Sequence, residues 1–256
     1  MKTLYHLRLN KKIIRDASIV LLPGDPDRVP KIAQFLDHPN ALESNREWNS
    51  YIGELQGIPI LIVSTGVGGP ATSICADELA QIGIRTFIRV GTTGAIQPHI
   101  KVGDVIITSA SVRSDGASKD FAPIEYPAAA DFDVTSALVQ SAKASDCNFH
   151  VGITASTDTF YQGQERYDSF SGSVPPRLKG SLKEWQRLNV LNYEMESATL
   201  LTMCASMGLK AGCVTGVLVN RTIQENIDSD IVASVELKAI SVAVNAVKNL
   251  IKVVRF

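Results

Sequence analysis

The chain has 256 residues, 45% of them hydrophobic, which is enough to bury a full core without disulfides or metals. Its 25 Lys and Arg against 26 Asp and Glu leave a net charge of -1, so no global field suits nucleic acid or an anionic membrane, and any bound anion needs a local cluster. No apolar run approaches the roughly 18 residues of a membrane span, and residues 1–12 carry charge without a signal-peptide-like apolar segment, so a cytoplasmic location is expected.

Taken in chain order, short β-branched runs at 18–22, 58–64, 86–90, 104–110, 150–155 and 211–219 read as strands, alternating with helical patterns at 70–82 and 133–144. This alternation is an α/β signature. From Thr157 to Trp185 the pattern fails: Gly163, Gly172, Pro175, Pro176 and Gly180 interrupt a polar stretch too long for an ordinary connection, which is expected to be mobile without ligand. A last helix keeps Val232, Val235, Ala239, Val242, Ala246, Leu250 and Val253 on one apolar stripe packed along the sheet. Its other face, with Glu236, Lys238, Asn245, Lys248 and Lys252, reads as solvated and without a partner. No linker or repeat divides the chain, so residues 1–256 are expected to form one domain.

The four cysteines, at 75, 147, 204 and 213, fall in stretches read as helix or strand, with no Cys-x-x-Cys and no histidine at ligand spacing. Buried, reduced thiols and no transition-metal site are expected. The histidines at 6, 38, 99 and 150 are scattered.

Candidate chemistry falls at strand ends. Leu22-Pro23-Gly24-Asp25-Pro26-Asp27-Arg28 runs from a strand into a helix start, where backbone N–H groups near Gly24 and the first-turn Arg28 could meet an anion; a plain turn capped by Asp27 is the alternative. Ser64-Thr65-Gly66-Val67-Gly68-Gly69-Pro70 is a second glycine loop before a helix, without the spacing of a Walker or dinucleotide motif. In Arg89-Val90-Gly91-Thr92-Thr93-Gly94 an arginine inside an apolar run needs a carboxylate or an anionic ligand to offset its burial. Gln164 and Arg166, in Phe160-Tyr161-Gln162-Gly163-Gln164-Glu165-Arg166, offer an amide and a guanidinium suited to an imide edge, with Arg221 further on. Asn192-Tyr193-Glu194-Met195-Glu196-Ser197 places two carboxylates two apart at a strand-to-helix junction. Gripping sugar hydroxyls and capping a helix are both open to them.

In this order these segments resemble the nucleoside phosphorylase family of trimeric and hexameric type, over about residues 5–250, and Gln164-Glu165-Arg166 resembles its uridine-cleaving branch. The resemblance implies a three-layer α/β/α sandwich with a mixed central sheet. It also implies phosphorolysis, in which phosphate attacks C1′ of uridine to give ribose 1-phosphate and uracil. Phosphate would lie among Gly24, Arg28, Arg89 and Thr92, with Thr93 and Gly94 adjoining and Arg46 entering from a neighbouring subunit. Ribose would meet Glu196, Met195 and Thr92, near Glu194, with His6 of the neighbour at the 5′-hydroxyl. Uracil would rest on Phe160 and meet Gln164, Arg166 and Arg221.

Sites shared in this way imply dimers, assembled into a homohexamer, with inorganic phosphate as co-substrate and no organic cofactor, nucleic acid or membrane partner. Purine relatives carry an Asp near Val219-Asn220-Arg221, so guanosine and inosine are expected to be poor substrates. Relatives hold a monovalent cation with Glu47, the backbone near Val67 and a serine hydroxyl. Here that serine position is Ala71, which sets potassium binding in question. A nucleosidase of the same fold has little use for Arg28, Arg46 and Arg89 together, and a non-catalytic nucleoside binder has little use for both Glu196 and Arg166.

Overall fold

The computed structural model describes residues 3–254; residues 1–2 and 255–256, the ends of the expected domain, and the side chains of Val253 and Val254 lie outside the described set. In chain order the elements are β1 (Ile19–Pro23), α1 (Arg28–Ala33), β2 (Asp37–Ala41), β3 (Ser50–Leu55), β4 (Ile58–Val63), α2 (Gly69–Gln81), β5 (Thr86–Ala95) and β6 (Val105–Ser114). They continue with β7 (Ala128–Ala129), α3 (Phe132–Ala144), β8 (Phe149–Thr157), α4 (Ser181–Arg187), β9 (Asn192–Glu194), α5 (Ser197–Ser206), β10 (Lys210–Asn220) and α6 (Ser229–Val254).

The strands make one mixed sheet in the order β10-β6-β8-β9-β5-β1-β4-β3-β2, with β7 on β6. Because successive side chains of a strand face opposite ways, the apolar runs feed two cores. Ile19, Leu21, Ile60, Ile62, Ile88 and Val90 pack with α1, α3 and α6. Val20, Leu22, Leu61, Val63 and Phe87 pack on the other face with α2 and α5. The result is the expected α/β/α layering. β5 also pairs in parallel with β10 from Thr86 to Ala95, so β5, β10, β6, β8 and β9 close into a ring. Ala95, Ile100, Ile106, Leu191 and Val217 fill part of it.

Several elements depart from the sequence expectation. β5 runs to Ala95 and β6 to Ser114, because paired neighbours hold Gly91 to Gly94 and Ser111 to Ser114 extended where local propensity is weak. β2 is exposed throughout and carries Pro39, which an edge strand tolerates. α5 escapes a periodicity search because Ser197 to Cys204 are all buried, leaving no polar face. The irregular stretch from Thr157 ends at Ser181, where α4 begins.

Cys147 lies in neither helix nor strand and is half-buried, whereas Cys75, Cys204 and Cys213 are buried, and all four are free. Burial pushes the Cys204 and Cys213 thiols up to about 12, which makes them poor nucleophiles. Among the described residues no helix is long and apolar enough to cross a membrane.

Candidate active site

β5 works as a rail for the site. Arg89 lies within it with its side chain buried, and Gly91 makes room for the guanidinium, since a β-carbon there would stand 3.0 Å from Arg89 Nη2. Arg89 Nε donates to Glu194 Oε2 at 2.8 Å, and Nη2 pairs with Glu196 Oε2. Nη1 is buried with no partner and faces Gly24, where a β-carbon would lie 3.6 Å away. Burial works to lower the Arg89 pKa, but Glu196 and then Glu194 outweigh it, so the group stays charged. A charged, buried donor with no acceptor fits an anion.

The acidic pair divides its work. Glu194 ends β9 and accepts from the N–H groups of Glu196 and Ser197 and from the Ser197 hydroxyl, so it caps α5 while holding Arg89. The helix-start reading is the one its geometry fits. Glu196 accepts from Gly68 N–H at 2.6 Å, and Gly68 presents that donor at φ 89°, a conformation that suits glycine. Burial pushes the Glu196 carboxyl up, Arg89 opposing the rise and Glu194 adding to it.

Arg28 opens α1, and Asp27 occupies the N-cap position without a side-chain bond. Instead, Arg28 Nε and Nη2 donate to Glu236 Oε1 at 3.1 and 2.6 Å, and Lys31 Nζ reaches Glu236 Oε2 at 2.8 Å. This corrects the solvated reading of the outer face of α6, because Glu236 is 4% exposed. An alternating apolar stripe does not show that a charge beside it finds a cation from another element.

At the other end of β5, Gly94 lies against Arg221, whose Cδ would stand 3.3 Å from a β-carbon there. Five residues of extended strand separate Arg89 from Gly94, about 16 Å at roughly 3.3 Å per residue. Arg221 Nη1 donates to Gln164 O at 2.8 Å, and its buried Nη2 has no partner. Arg166 Nε donates to Gln164 Oε1 at 3.3 Å, and its guanidinium lies 4.2 Å over the Phe160 ring, covering the face expected to carry the base. Between the two ends, Thr92 is half-buried on the cavity wall, while Thr93 is committed to the fold, donating to Tyr193 O at 2.6 Å.

The backbone explains why Gln164 and Arg166 share the pocket. Glu165 adopts φ 53°, and its carboxylate turns away to accept from the N–H groups of Gly180 and Leu182 at the start of α4. Burial raises the Glu165 pKa, and these backbone bonds more than offset that and lower it.

One cavity of about 550 Å³ joins Gly24, Arg28, Arg89 and Thr92 to Phe160, Gln164, Arg166, Met195 and Glu196, and also meets Thr93, Gly94 and Glu194. Arg221 stands behind Gln164 and Gly94 rather than on its wall. His6 and Arg46 are not on its lining either. His6 Nδ1 bonds Glu78 Oε1 at 2.8 Å, and Arg46 is exposed at φ 55°. Sequence reasoning also missed Glu225, which joins Arg166 and Arg221, and the partnership of Glu236 with Arg28. Glu47 lines the rim beside Gly66, with the Ala71 methyl also against Gly66, so the hydroxyl of the implied cation set is missing and the residues present do not complete that set.

Glu236 makes stability depend on pH. Burial raises its pKa, but hydrogen bonds from Lys31 and Arg28 outweigh that and hold it below its ordinary value of 4.5. Its contribution is therefore complete above pH 4.5 and is lost as pH falls through the depressed folded value. Glu236→Gln is expected to cost on the order of 3 kcal/mol at pH 7 by leaving Arg28 unpaired. The difference from the unaltered protein should shrink below pH 4.5 in thermal melts followed by circular dichroism, and a constant difference from pH 7 to 3 would contradict it.

A layered α/β fold in which a buried arginine, held by two carboxylates, turns one unpaired N–H group to a glycine turn is the arrangement of a phosphorylase-type protein. The family model described as "Phosphorylase superfamily" matches residues 18–254. Uridine phosphorylase of Escherichia coli K12 is 57% identical over 247 residues, covering 96% of this chain and 98% of the relative. The enzyme of that name from Klebsiella aerogenes is 56% identical with the same coverage, and that of Haemophilus influenzae is 55% identical over 98% of this chain and 100% of the relative. The chain belongs to the phosphorylase superfamily and, within it, to the uridine phosphorylase family.

Proposed function

We propose that the chain is a uridine phosphorylase, a pentosyltransferase that reversibly converts uridine and phosphate to uracil and ribose 1-phosphate in pyrimidine salvage. The supporting observation is the spacing of donors along β5. Arg89 Nη1 stands unpaired beside Gly24, and about 16 Å of strand away, where the Arg221 stem packs on Gly94, Gln164 and Arg166 line the same cavity. That span accommodates a phosphate, a ribose and a base in line.

In this reading phosphate binds at Arg89, the Gly24 backbone and Arg28, where fork-shaped charge-assisted bonds orient it towards C1′. Thr92, Met195 and Glu196 face the ribose. As the glycosidic bond breaks, negative charge spreads over the uracil oxygens and meets Arg166 and Gln164, with the charge of Arg221 behind them. Phosphate is the nucleophile, so no activated side chain is needed. His6 and Arg46 would reach the site of a neighbouring subunit, and the rim residue Val67, 74% exposed, would be covered there. A homohexamer built from such dimers is part of this reading, as the family resemblance implies.

Incubation with uridine and phosphate is expected to release uracil and ribose 1-phosphate, with guanosine and inosine turned over poorly. Uracil release in phosphate-free buffer, unchanged by added phosphate, would show a hydrolase instead.

A further inference from the structure

Beside the base end of the cavity, in contact with its wall residue Arg166, stands an anion of the chain's own. Glu225 lies between β10 and α6, in neither helix nor strand, and its side chain is 37% exposed. Its Oε2 accepts from Arg166 Nη1 at 2.5 Å, and both oxygens accept from Arg221 Nε at 2.9 Å. Both arginine side chains are buried. After burial itself, the positive charge of Arg221 is what most lowers the Arg166 pKa, so the two cations repel each other. A carboxylate between them relieves that repulsion while the site is empty.

A uracil ring departing with negative charge needs the same donors, and a carboxylate beside it repels it. We infer, on the reading that uridine is the substrate, that Glu225 is a product-release residue: a resident competitor that leaves the base site as the nucleoside enters and returns to displace the departing uracil. Glu225 sits on a loop, and Ile227, two residues on, lines the same cavity, so a swing of this segment changes the site directly.

Each arginine has a partner besides Glu225. Arg166 keeps Gln164 Oε1 and the Phe160 ring, and Arg221 keeps Gln164 O. Arg221 stands behind Gln164 and Gly94, off the cavity wall, so the base competes with Glu225 through Arg166, which lines the cavity. The contrast with Glu236 is instructive. That carboxylate is buried within α6 and tied to both Arg28 and Lys31, so it cannot withdraw from its arginine in the same way.

Glu225→Gln keeps the size and removes the charge, and Glu225→Ala removes both. Titration calorimetry with uracil alone should show binding to Glu225→Gln tightened roughly tenfold, in line with removing a charged competitor for a hydrogen bond. Inhibition of phosphorolysis by uracil should strengthen equally, with a burst of uracil in the first turnover and a lower steady rate.

If Glu225 only props the arginines in place, both variants bind uracil more weakly. Weaker or unchanged uracil binding in variants with an unaltered circular dichroism spectrum would overturn the assignment. Should the unaltered protein release no uracil from uridine and phosphate, the proposed function fails, while the uracil titration still decides the part played by Glu225.

Discussion

Arg166→Ala is expected to lower kcat for uridine phosphorolysis by roughly 10²–10³-fold, the loss that follows removal of one preorganised donor to a developing anion. Arg166 is suited to that task because its orientation is set before substrate arrives. Its backbone N–H bonds Tyr161 O at 2.7 Å, its guanidinium lies over Phe160, and the neighbouring Glu165 anchors the turn on α4. A donor already in place costs no reorganisation at the transition state.

Alanine substitution also leaves Glu225 with Arg221 alone, so the base site loses one of its two positive charges. Arg166→Lys should recover only part of the rate, since an ammonium keeps the charge and loses the planar fork. The loss should be smaller with 5-fluorouridine, whose base leaves more readily as an anion and needs less stabilisation. Steady-state kinetics on both nucleosides decide the matter: an effect confined to KM and equal for the two substrates would show that Arg166 binds the base without easing its departure.

The parts of the site that could be read from the chain are those whose chemistry is local. Arg89 stood out because an arginine within a β-branched run demands compensation, and Gly24 and Gly91 flank positions where backbone or guanidinium comes close. Glu194 and Glu196 were visible as a pair, but their separate duties were not, because the cap of α5 and the bond to Gly68 depend on where α5 and α2 meet. Glu225 and Glu236 were invisible as partners of Arg166 and Arg28, which lie 59 and 208 residues away in sequence, and the four-residue spacing of Arg221 and Glu225 falls in a turn, where it carries no helical signal.

The same limit explains the missed elements. The core strands β1, β4 and β10 carry their own hydrophobic signal, whereas β2 is exposed at an edge and α5 is buried all round, so neither shows a period.

The second large effect concerns Arg89, where function and stability draw on one side chain. Arg89→Met is expected to abolish measurable phosphate dependence and to destabilise the fold by roughly 3–5 kcal/mol, because Glu194 and Glu196 are left buried without their cation. For a chain of this size that corresponds to a fall in Tm of roughly 10 °C or more. The two consequences separate in a double variant. Arg89→Met combined with Glu196→Gln removes the cation and one of its two carboxylates together, and replacing both members of a buried pair costs far less than removing one.

Tm should therefore recover substantially in the double variant, while phosphorolysis should not, since the lone donor facing Gly24 is still missing. Thermal melts and phosphate titrations at saturating uridine measure both. Recovery of phosphate saturation together with Tm would show that Arg89 serves the fold alone and that the phosphate is held by Arg28 and the glycine turn.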